Sequence, residues 1–193
     1  MTSAGGADDP AAGRDGARRA LANALGALAL VVSDELGRVV TEEAPSVTDA
    51  AALSALAQFL DGGTVDQVHQ VLGLTPSGAV RLVDRLSADG LASRGPGPDK
   101  RSRSVRLTPA GSERAAVIGS ARSTYLSGIL DGLDDHDVEL LRGLVAKVMA
   151  GVVKRKDGGA WTCRLCDLVA CRRSEGECPA YNAARAVHPG GGA

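Results

Sequence analysis

Four cysteines lie close together near the C-terminus, in the segment WTCRLCDLVACRRSEGECPAY, and the 193-residue chain has no others. They are Cys163, Cys166, Cys171 and Cys178, with the spacing C-x2-C-x4-C-x6-C. A tight turn can bring the first two thiolates to the same side of one ion, and two further thiolates complete a set of four ligands. Such a set suits Zn²⁺ or an iron–sulfur cluster, because both prefer sulfur ligands. The segment therefore predicts a metal site, with metal-free thiol switching, or no function at all, as the alternative.

The spacing leaves the choice of metal open. A usual zinc ribbon has two C-x-x-C pairs separated by a loop or a helix, and this segment has one. Compact cysteine sets that end in Cys-Pro, as Cys178 and Pro179 do, occur in iron–sulfur proteins, and the segment is similar to the cluster motif of SoxR-type redox regulators, whose spacing is tighter. Flanking arginines (Arg164, Arg172 and Arg173) would offset the negative charge of four thiolates.

Composition describes a soluble chain without a strong overall charge. Hydrophobic residues make up 44%, charged residues 23% and aromatic residues 2%, and the net charge is −1. The longest apolar run, LGALALVV, is too short to cross a bilayer, and the N-terminus lacks a signal peptide. We therefore expect a cytoplasmic protein with no membrane partner, a compartment in which structural disulfides are uncommon.

The elements that must position the cysteines are mainly helical. From Ala17 to about Val40, leucines and valines recur at spacings of three and four, which predicts a long amphipathic helix. SVTDAAALSALAQFL predicts a second helix. A third opens at Thr64 with Gln67 in the capping-box position, and Gly73 suits the left-handed residue that ends it.

A fourth helix follows at once in LTPSGAVRLVDRLSADG, with Thr75 as N-cap and Pro76 at the first helical position. Two short helices joined at a glycine are typical of a helix-turn-helix. The spacing i, i+3, i+4, i+7 turns one set of residues to the core, namely Ala79, Leu82, Val83 and Leu86. The opposite face carries Ser77, Arg81, Asp84, Arg85 and Ala88. That face could enter the major groove of DNA, although a solvated amphipathic helix has the same pattern.

The next segment, LASRGPGPDKRSRSVRLT, predicts a β-hairpin with a basic loop. Seven Lys or Arg and three Asp lie between Arg81 and Arg106, an excess of positive charge in a chain whose total is −1. A basic hairpin directly after a helix-turn-helix is a winged helix, so this segment favours DNA binding.

Two closing helices follow, in TPAGSERAAVIGSARSTYLSGILDGL and DDHDVELLRGLVAKVMAGVVKR. The second has an unbroken apolar stripe, which consists of Leu141, Leu144, Val145, Val148 and Val152. We expect a second copy of the chain to cover it, since monomers avoid exposed apolar patches. The alternative is that these helices pack on their own domain.

The fold class is therefore mainly α with a small β-hairpin wing: a winged helix-turn-helix with long N- and C-terminal dimerisation helices. The segment TPSGAVRLVDRLSADGLASR, followed by PDKRSRSVRLTPAG, resembles the MarR (multiple antibiotic resistance regulator) family over about residues 17–155. The matching wing positions are Asp99, Arg101, Leu107, Thr108 and Gly111.

The resemblance implies a homodimeric transcriptional regulator, usually a repressor, that binds a palindromic site in double-stranded DNA. It implies that Arg101 of the wing reaches the minor groove, that Asp99 holds an arginine in place, and that Ser77 and Arg81 lie where the recognition helix touches DNA. Many members of the family sense small aromatic acids or oxidants. This chain has few aromatic residues to line a ligand pocket and no cysteine before Cys163. A small-molecule effector is therefore possible but not indicated.

These inferences divide the chain into three parts: a disordered tail (1–16), a winged-helix DNA-binding and dimerisation domain (17–156), and a cysteine-rich metal-binding tail (157–193). The predicted DNA-binding residues are Thr75, Ser77, Arg81, Arg85, Arg94, Lys100, Arg101 and Arg103. The predicted function is a dimeric DNA-binding regulator, not an enzyme, whose four-cysteine site binds an iron–sulfur cluster or zinc and senses redox state or metal. The alternative is a regulator of the same kind with a purely structural zinc or protein-interaction tail.

Overall fold

The computed structural model describes residues 10–97, 102–155 and 160–187. In chain order its helices and strands are α1 (Pro10–Thr41), α2 (Val47–Gln58), α3 (Val65–Leu72), α4 (Pro76–Ala88), β1 (Ala92–Pro96), β2 (Arg103–Leu107), α5 (Pro109–Gly128), α6 (Asp135–Arg155) and α7 (Pro179–Val187). Short 3₁₀ turns lie at Ala160–Cys163 and Arg173–Glu175. The predicted class, mainly helical with a two-stranded wing, is confirmed.

Helix α1 begins at Pro10 and not at the predicted Ala17. Proline at a first helical position and an alanine-rich sequence both favour the earlier start. The stretch Gly13–Thr41 has 29 residues and an 18-residue window of mean hydropathy 1.4, so by length and composition alone it could cross a membrane. The expectation that no apolar stretch is long enough was therefore wrong. That expectation rested on the longest uninterrupted apolar run. The alanines between the leucines keep the mean hydropathy of the whole 18-residue window high.

The local signals for the helix-turn-helix are confirmed. The Thr64 side chain accepts a hydrogen bond from the Gln67 amide, and the Gln67 side chain accepts one from the Thr64 amide at 2.8 Å. Gly73 ends α3 with φ of 64°, a left-handed conformation that glycine adopts without steric cost. Thr75 caps α4, with Pro76 in its first turn.

The core lies around α2, which is buried from Asp49 to Leu56. Alanines fill much of that helix, so neighbouring helices and β2 approach it closely. The core face predicted for α4 is confirmed, since Ala79, Leu82, Val83 and Leu86 are all 2% exposed or less.

Strands β1 and β2 form the antiparallel wing, with Ala92 opposite Leu107 and Pro96 opposite Arg103. The segment before α3 extends this sheet, because the Gly62 amide donates to the Val105 carbonyl at 3.0 Å and the Val105 amide donates to the Gly63 carbonyl at 2.8 Å. The wing therefore has a fixed position relative to the helix-turn-helix.

The segment Leu-Thr-Pro-Ala-Gly joins the wing to α5. Thr108 caps α5 by accepting a hydrogen bond from the Gly111 amide, and its hydroxyl donates to the Gly90 carbonyl at 2.7 Å. A Cβ at Gly111 would lie 1.9 Å from the Leu91 carbonyl oxygen. Only glycine fits there, which explains the glycine of this motif.

Candidate nucleic-acid interface and cysteine site

The N-terminal end of α4 is open to solvent, as a recognition helix requires. Thr75, Ser77 and Arg81 are all exposed. The Thr75 hydroxyl accepts a hydrogen bond from the Gly78 amide at 3.1 Å and lies 3.3 Å from the Ser77 hydroxyl. These small polar groups leave the helix end accessible to a phosphate or a base edge.

Arg85 lies further along the same face, but its side chain turns to α2. Its Nε and one terminal nitrogen both donate to a single carboxylate oxygen of Asp49, at 3.0 and 2.8 Å. Asp49 is 1% exposed and also accepts a short hydrogen bond from the Ser46 hydroxyl. A buried carboxylate requires such partners. Sequence reasoning missed Asp49 and this bond, and the DNA contact of Arg85 stays a prediction.

The side chain of Arg94, on β1, also bonds to groups of its own chain. It pairs with Asp84 of α4 at 2.9 Å and donates to the Val80 carbonyl at 3.3 Å. This pair fixes the first strand of the wing to α4, so the two elements have a defined relative position.

Arg103, at the start of β2, is exposed. The predicted contact residues Lys100 and Arg101 lie outside the described residues, as does Asp99. Among the described residues, an exposed arginine thus lies on each of the two elements predicted to bind DNA, Arg81 on α4 and Arg103 on the wing.

The four cysteines belong to a small subdomain, here called the cysteine subdomain, which consists of residues 160–187. Its chain reverses after Cys166, where the Asp167 side chain accepts hydrogen bonds from the Val169 and Ala170 amides at 2.9 and 3.1 Å. Helix α7, which the sequence interpretation missed, starts directly after Cys178. The proline at its first position and its alanines were the available signals.

The thiols lie as two interacting pairs, and all four are free. A hydrogen bond from Cys163 lowers the pKa of Cys166 to about 6, although burial opposes the shift; the charge of Arg122 contributes to the lowering. The same hydrogen bond, with burial, raises the pKa of Cys163. Burial, then the neighbouring Cys178, raises the pKa of Cys171.

The two pairs also interact with each other. Cys178 raises the pKa of Cys163, and Cys166 raises the pKa of Cys171. Among the described residues, however, no three His, Cys, Asp or Glu side chains are close enough to hold a metal ion. A single ion bound by all four thiolates would need a closer approach of the pairs.

The cysteine subdomain packs on the winged-helix body. The Leu168 amide donates to the Gln58 side chain at the end of α2, at 3.1 Å, and the first 3₁₀ turn packs against α3. The Arg173 guanidinium lies 4.4 Å from the centre of the Tyr181 ring and 6.0 Å from that of Phe59. On the other side α7 packs against α6, where Val153, Cys178 and Ala183 form a small apolar cluster.

The α3–turn–α4 pair with its adjoining hairpin defines a winged helix-turn-helix protein. With its long flanking helices, the chain has the fold of the MarR-family transcriptional regulators. No protein-family model matches the sequence.

Solved structures show the fold. A MarR-family protein from Bacillus stearothermophilus matches with a TM-score of 0.61 at 20% identity, over 72% of this chain and 97% of that one. MepR, a transcription regulator of the Staphylococcus aureus multidrug efflux pump MepA, matches with a TM-score of 0.60 at 14% identity, over 68% and 97%. The apo form of MarR from E. coli has a TM-score of 0.53 at 24% identity, over 64% and 95%.

Proposed function

We propose that this protein is a cytoplasmic, homodimeric, sequence-specific DNA-binding transcriptional regulator, acting as a repressor. The observation that carries the proposal is the open N-terminal end of α4 beside a basic wing. Ser77 and Arg81 face outward there, and Arg94 ties the wing to α4. The fold shared with MarR and MepR supports the same conclusion.

In this proposal the DNA-facing residues have two roles. Thr75, Ser77 and Arg81 contact phosphates and base edges in the major groove, whereas Arg103, with Lys100 and Arg101 of the wing, contacts the backbone or the minor groove. Arg85 and Arg94, which hold carboxylates of the same chain, position these surfaces.

A second copy of the chain is the proposed cover for the apolar faces of the long helices. Leu21 of α1 is 70% exposed in the single chain, and Leu144 of α6 is 58% exposed. Two-fold pairing buries such faces and presents two recognition helices to a palindromic operator.

Light scattering after size exclusion tests the dimer. Leu144→Asp should dissociate it, whereas Lys147→Asp, an exposed polar position on the same helix, should not. Because α1 could also cross a membrane by its length, the same preparation is fractionated. A chain found in the membrane pellet would contradict the proposal.

DNA binding is tested by selecting sequences from a pool of random duplexes and measuring affinity at several salt concentrations. A palindromic consensus bound at least about a thousandfold more tightly than random DNA supports a specific regulator. Equal affinity for all sequences contradicts it.

For the cysteine subdomain we propose an iron–sulfur cluster or Zn²⁺ as ligand and the sensing of redox state or metal as its role. The support is the donor set: four free thiols in two interacting pairs, with Cys163 and Cys178 buried. When bound, the metal would join the two pairs and so order the subdomain.

Metal analysis of protein purified without oxygen tests this proposal. Iron matched by sulfide, with a brown colour, indicates a cluster, and one zinc per colourless chain indicates a zinc site. The sensing role requires that loaded and metal-free dimers differ in operator affinity at fixed salt. If chelation lowers only the melting temperature, the alternative holds: a structural zinc or protein-interaction tail.

A further inference from the structure

A cavity of about 50 Å³ lies where the cysteine subdomain meets the winged-helix body. Ser54 and Gln58 of α2, Arg122 of α5, and Cys166 and Asp167 are among its lining residues. The walls therefore combine a thiol of the predicted metal site with polar groups from two helices of the body, which lie far away in the sequence.

Arg122 is the feature of this cavity that its surroundings leave unexplained. Its Nε is buried and has no hydrogen-bond partner among the described residues. A buried N–H without an acceptor is energetically unfavourable, so such groups in native proteins usually have a role. The positive charge of Arg122 also favours the thiolate form of Cys166.

Neighbouring contacts hold the two sides of the cavity together. The Gln58 side chain accepts a hydrogen bond from the Leu168 amide, two residues after Cys166. The Cys166 amide in turn donates to the Cys163 carbonyl at 2.9 Å, which fixes the turn between the first two cysteines. Arg122 thus faces a part of the chain whose position is set by hydrogen bonds.

A four-thiolate metal group needs positive charge beside it, because four thiolates outweigh the two positive charges of one Zn²⁺ ion. Such outer partners of a metal site orient its ligands and tune its affinity. Arginine suits this role, since its guanidinium stays charged and is weakly hydrated.

We propose that Arg122 is part of the cysteine site: a positioning residue that compensates the charge of the metal–thiolate group at Cys166 and joins that group to the winged-helix body. The inference rests on the proposed metal-binding function. The inference gives α5 a role in the cysteine site, which the spacing of the cysteines alone does not predict.

The experiment measures Zn²⁺ affinity of the full-length chain by competition with a chromophoric chelator. Arg122→Gln should weaken binding by about tenfold or more, the usual effect of losing an outer partner of a metal site. Arg122→Lys should bind with intermediate affinity, because it keeps the charge but not the planar geometry. Arg106→Gln is the control: its partner Asp61 is exposed, and Zn²⁺ affinity should not change.

A second readout needs no metal. Backbone hydrogen exchange from Cys163 to Cys171 is compared in metal-free wild type and Arg122→Gln, with circular dichroism to show that both are folded. Faster exchange in the variant supports the contact between Arg122 and this segment.

The outcomes separate the two proposals. Equal Zn²⁺ affinity in wild type and Arg122→Gln overturns the inference about Arg122. A wild type that binds neither zinc nor iron overturns the metal-binding function instead. In that case equal hydrogen exchange in the two proteins overturns the inference as well.

Discussion

Asp49 of α2 and Arg85 of the recognition helix form an ion pair in which one carboxylate oxygen accepts two hydrogen bonds, at 3.0 and 2.8 Å. The carboxylate is almost fully buried, while the arginine side chain is 45% exposed. The pair fixes the recognition helix to the helix at the centre of the core.

Loss of this pair should destabilise the fold. Arg85→Ala leaves a buried carboxylate without its cation, and we expect a loss of about 2 kcal/mol in the free energy of unfolding, below the value for a fully buried pair because Arg85 is partly solvated. Urea denaturation at pH 7 measures it. Arg106→Ala is the matched control, since Arg106 and Asp61 form an exposed pair that should contribute less than about 1 kcal/mol. Equal effects of the two substitutions would contradict this interpretation.

Arg81→Ala should change which sequences the protein prefers. An arginine that reads a base contributes about 1–3 kcal/mol, and its loss should relax the preference at one position in each half-site. Affinity is measured for the selected operator and for its single-base variants. An unchanged preference would show that Arg81 does not read a base.

Arg101→Ala should have a different effect, because the proposed function places Arg101 at the DNA backbone or the minor groove. We expect weaker binding to all sequences and a salt dependence reduced by about one unit of slope. Measuring DNA affinity at several salt concentrations distinguishes the effect of Arg101→Ala from that of Arg81→Ala. If neither arginine matters, the DNA-facing surface lies elsewhere.

Gln58→Ala should loosen the cysteine subdomain from α2. One hydrogen bond contributes about 1 kcal/mol, so the Leu168 amide should exchange about fivefold faster with deuterium. Gln70→Ala removes a glutamine whose hydrogen bond to Asp66 lies on the exposed surface of α3, and serves as the control. Unchanged exchange at Leu168 would mean that other contacts hold the subdomain.

Cys166 should react with iodoacetamide at unusually low pH in metal-free, reduced protein. Its thiolate fraction should be half-maximal near a pH of about 6, the lowered pKa that results from the hydrogen bond with Cys163. Peptide mapping by mass spectrometry follows Cys166 alone. Cys163→Ala removes the hydrogen bond and should raise the midpoint; an unchanged midpoint would exclude Cys163 as the cause.

The same pKa predicts how stability depends on pH. Between a pH of about 6 and 9.0, the ordinary value, the folded chain keeps Cys166 as a thiolate while the unfolded chain is protonated. The contribution of Cys166 is therefore fully present above the ordinary value and is lost as the pH falls through about 6. As the pH falls through this range, wild type should therefore lose stability relative to Cys166→Ser, as measured by urea denaturation.

The sequence predicted the features that local signals determine. Thr64 with Gln67, Gly73, and Thr75 with Pro76 lie next to the helix ends that they specify, so their roles could be inferred without the fold. The core face of α4 followed from its spacing in the same way.

Contacts between distant parts of the chain could not be inferred in this way. Asp49 and Arg85 are 36 positions apart, and Gln58 and Leu168 are 110 apart. Which polar side chain meets which partner depends on how the helices pack. The pattern of one helix face does not contain that information, so the sequence does not predict the bond of Arg85 to Asp49 or the position of Arg122 beside Cys166.

Helix α2 connects two of these long-range contacts. Asp49, which holds the recognition helix, and Gln58, which holds the cysteine subdomain, lie about 14 Å apart along one helix axis, at 1.5 Å per residue. A helix this short moves as a rigid rod, so a displacement at one end reaches the other. Operator choice depends on the separation of the two recognition helices in a dimer. In the proposed dimer, the angle at which each chain presents α4 would thus be linked to the docking of its own C-terminal segment, without any change in the dimer helices.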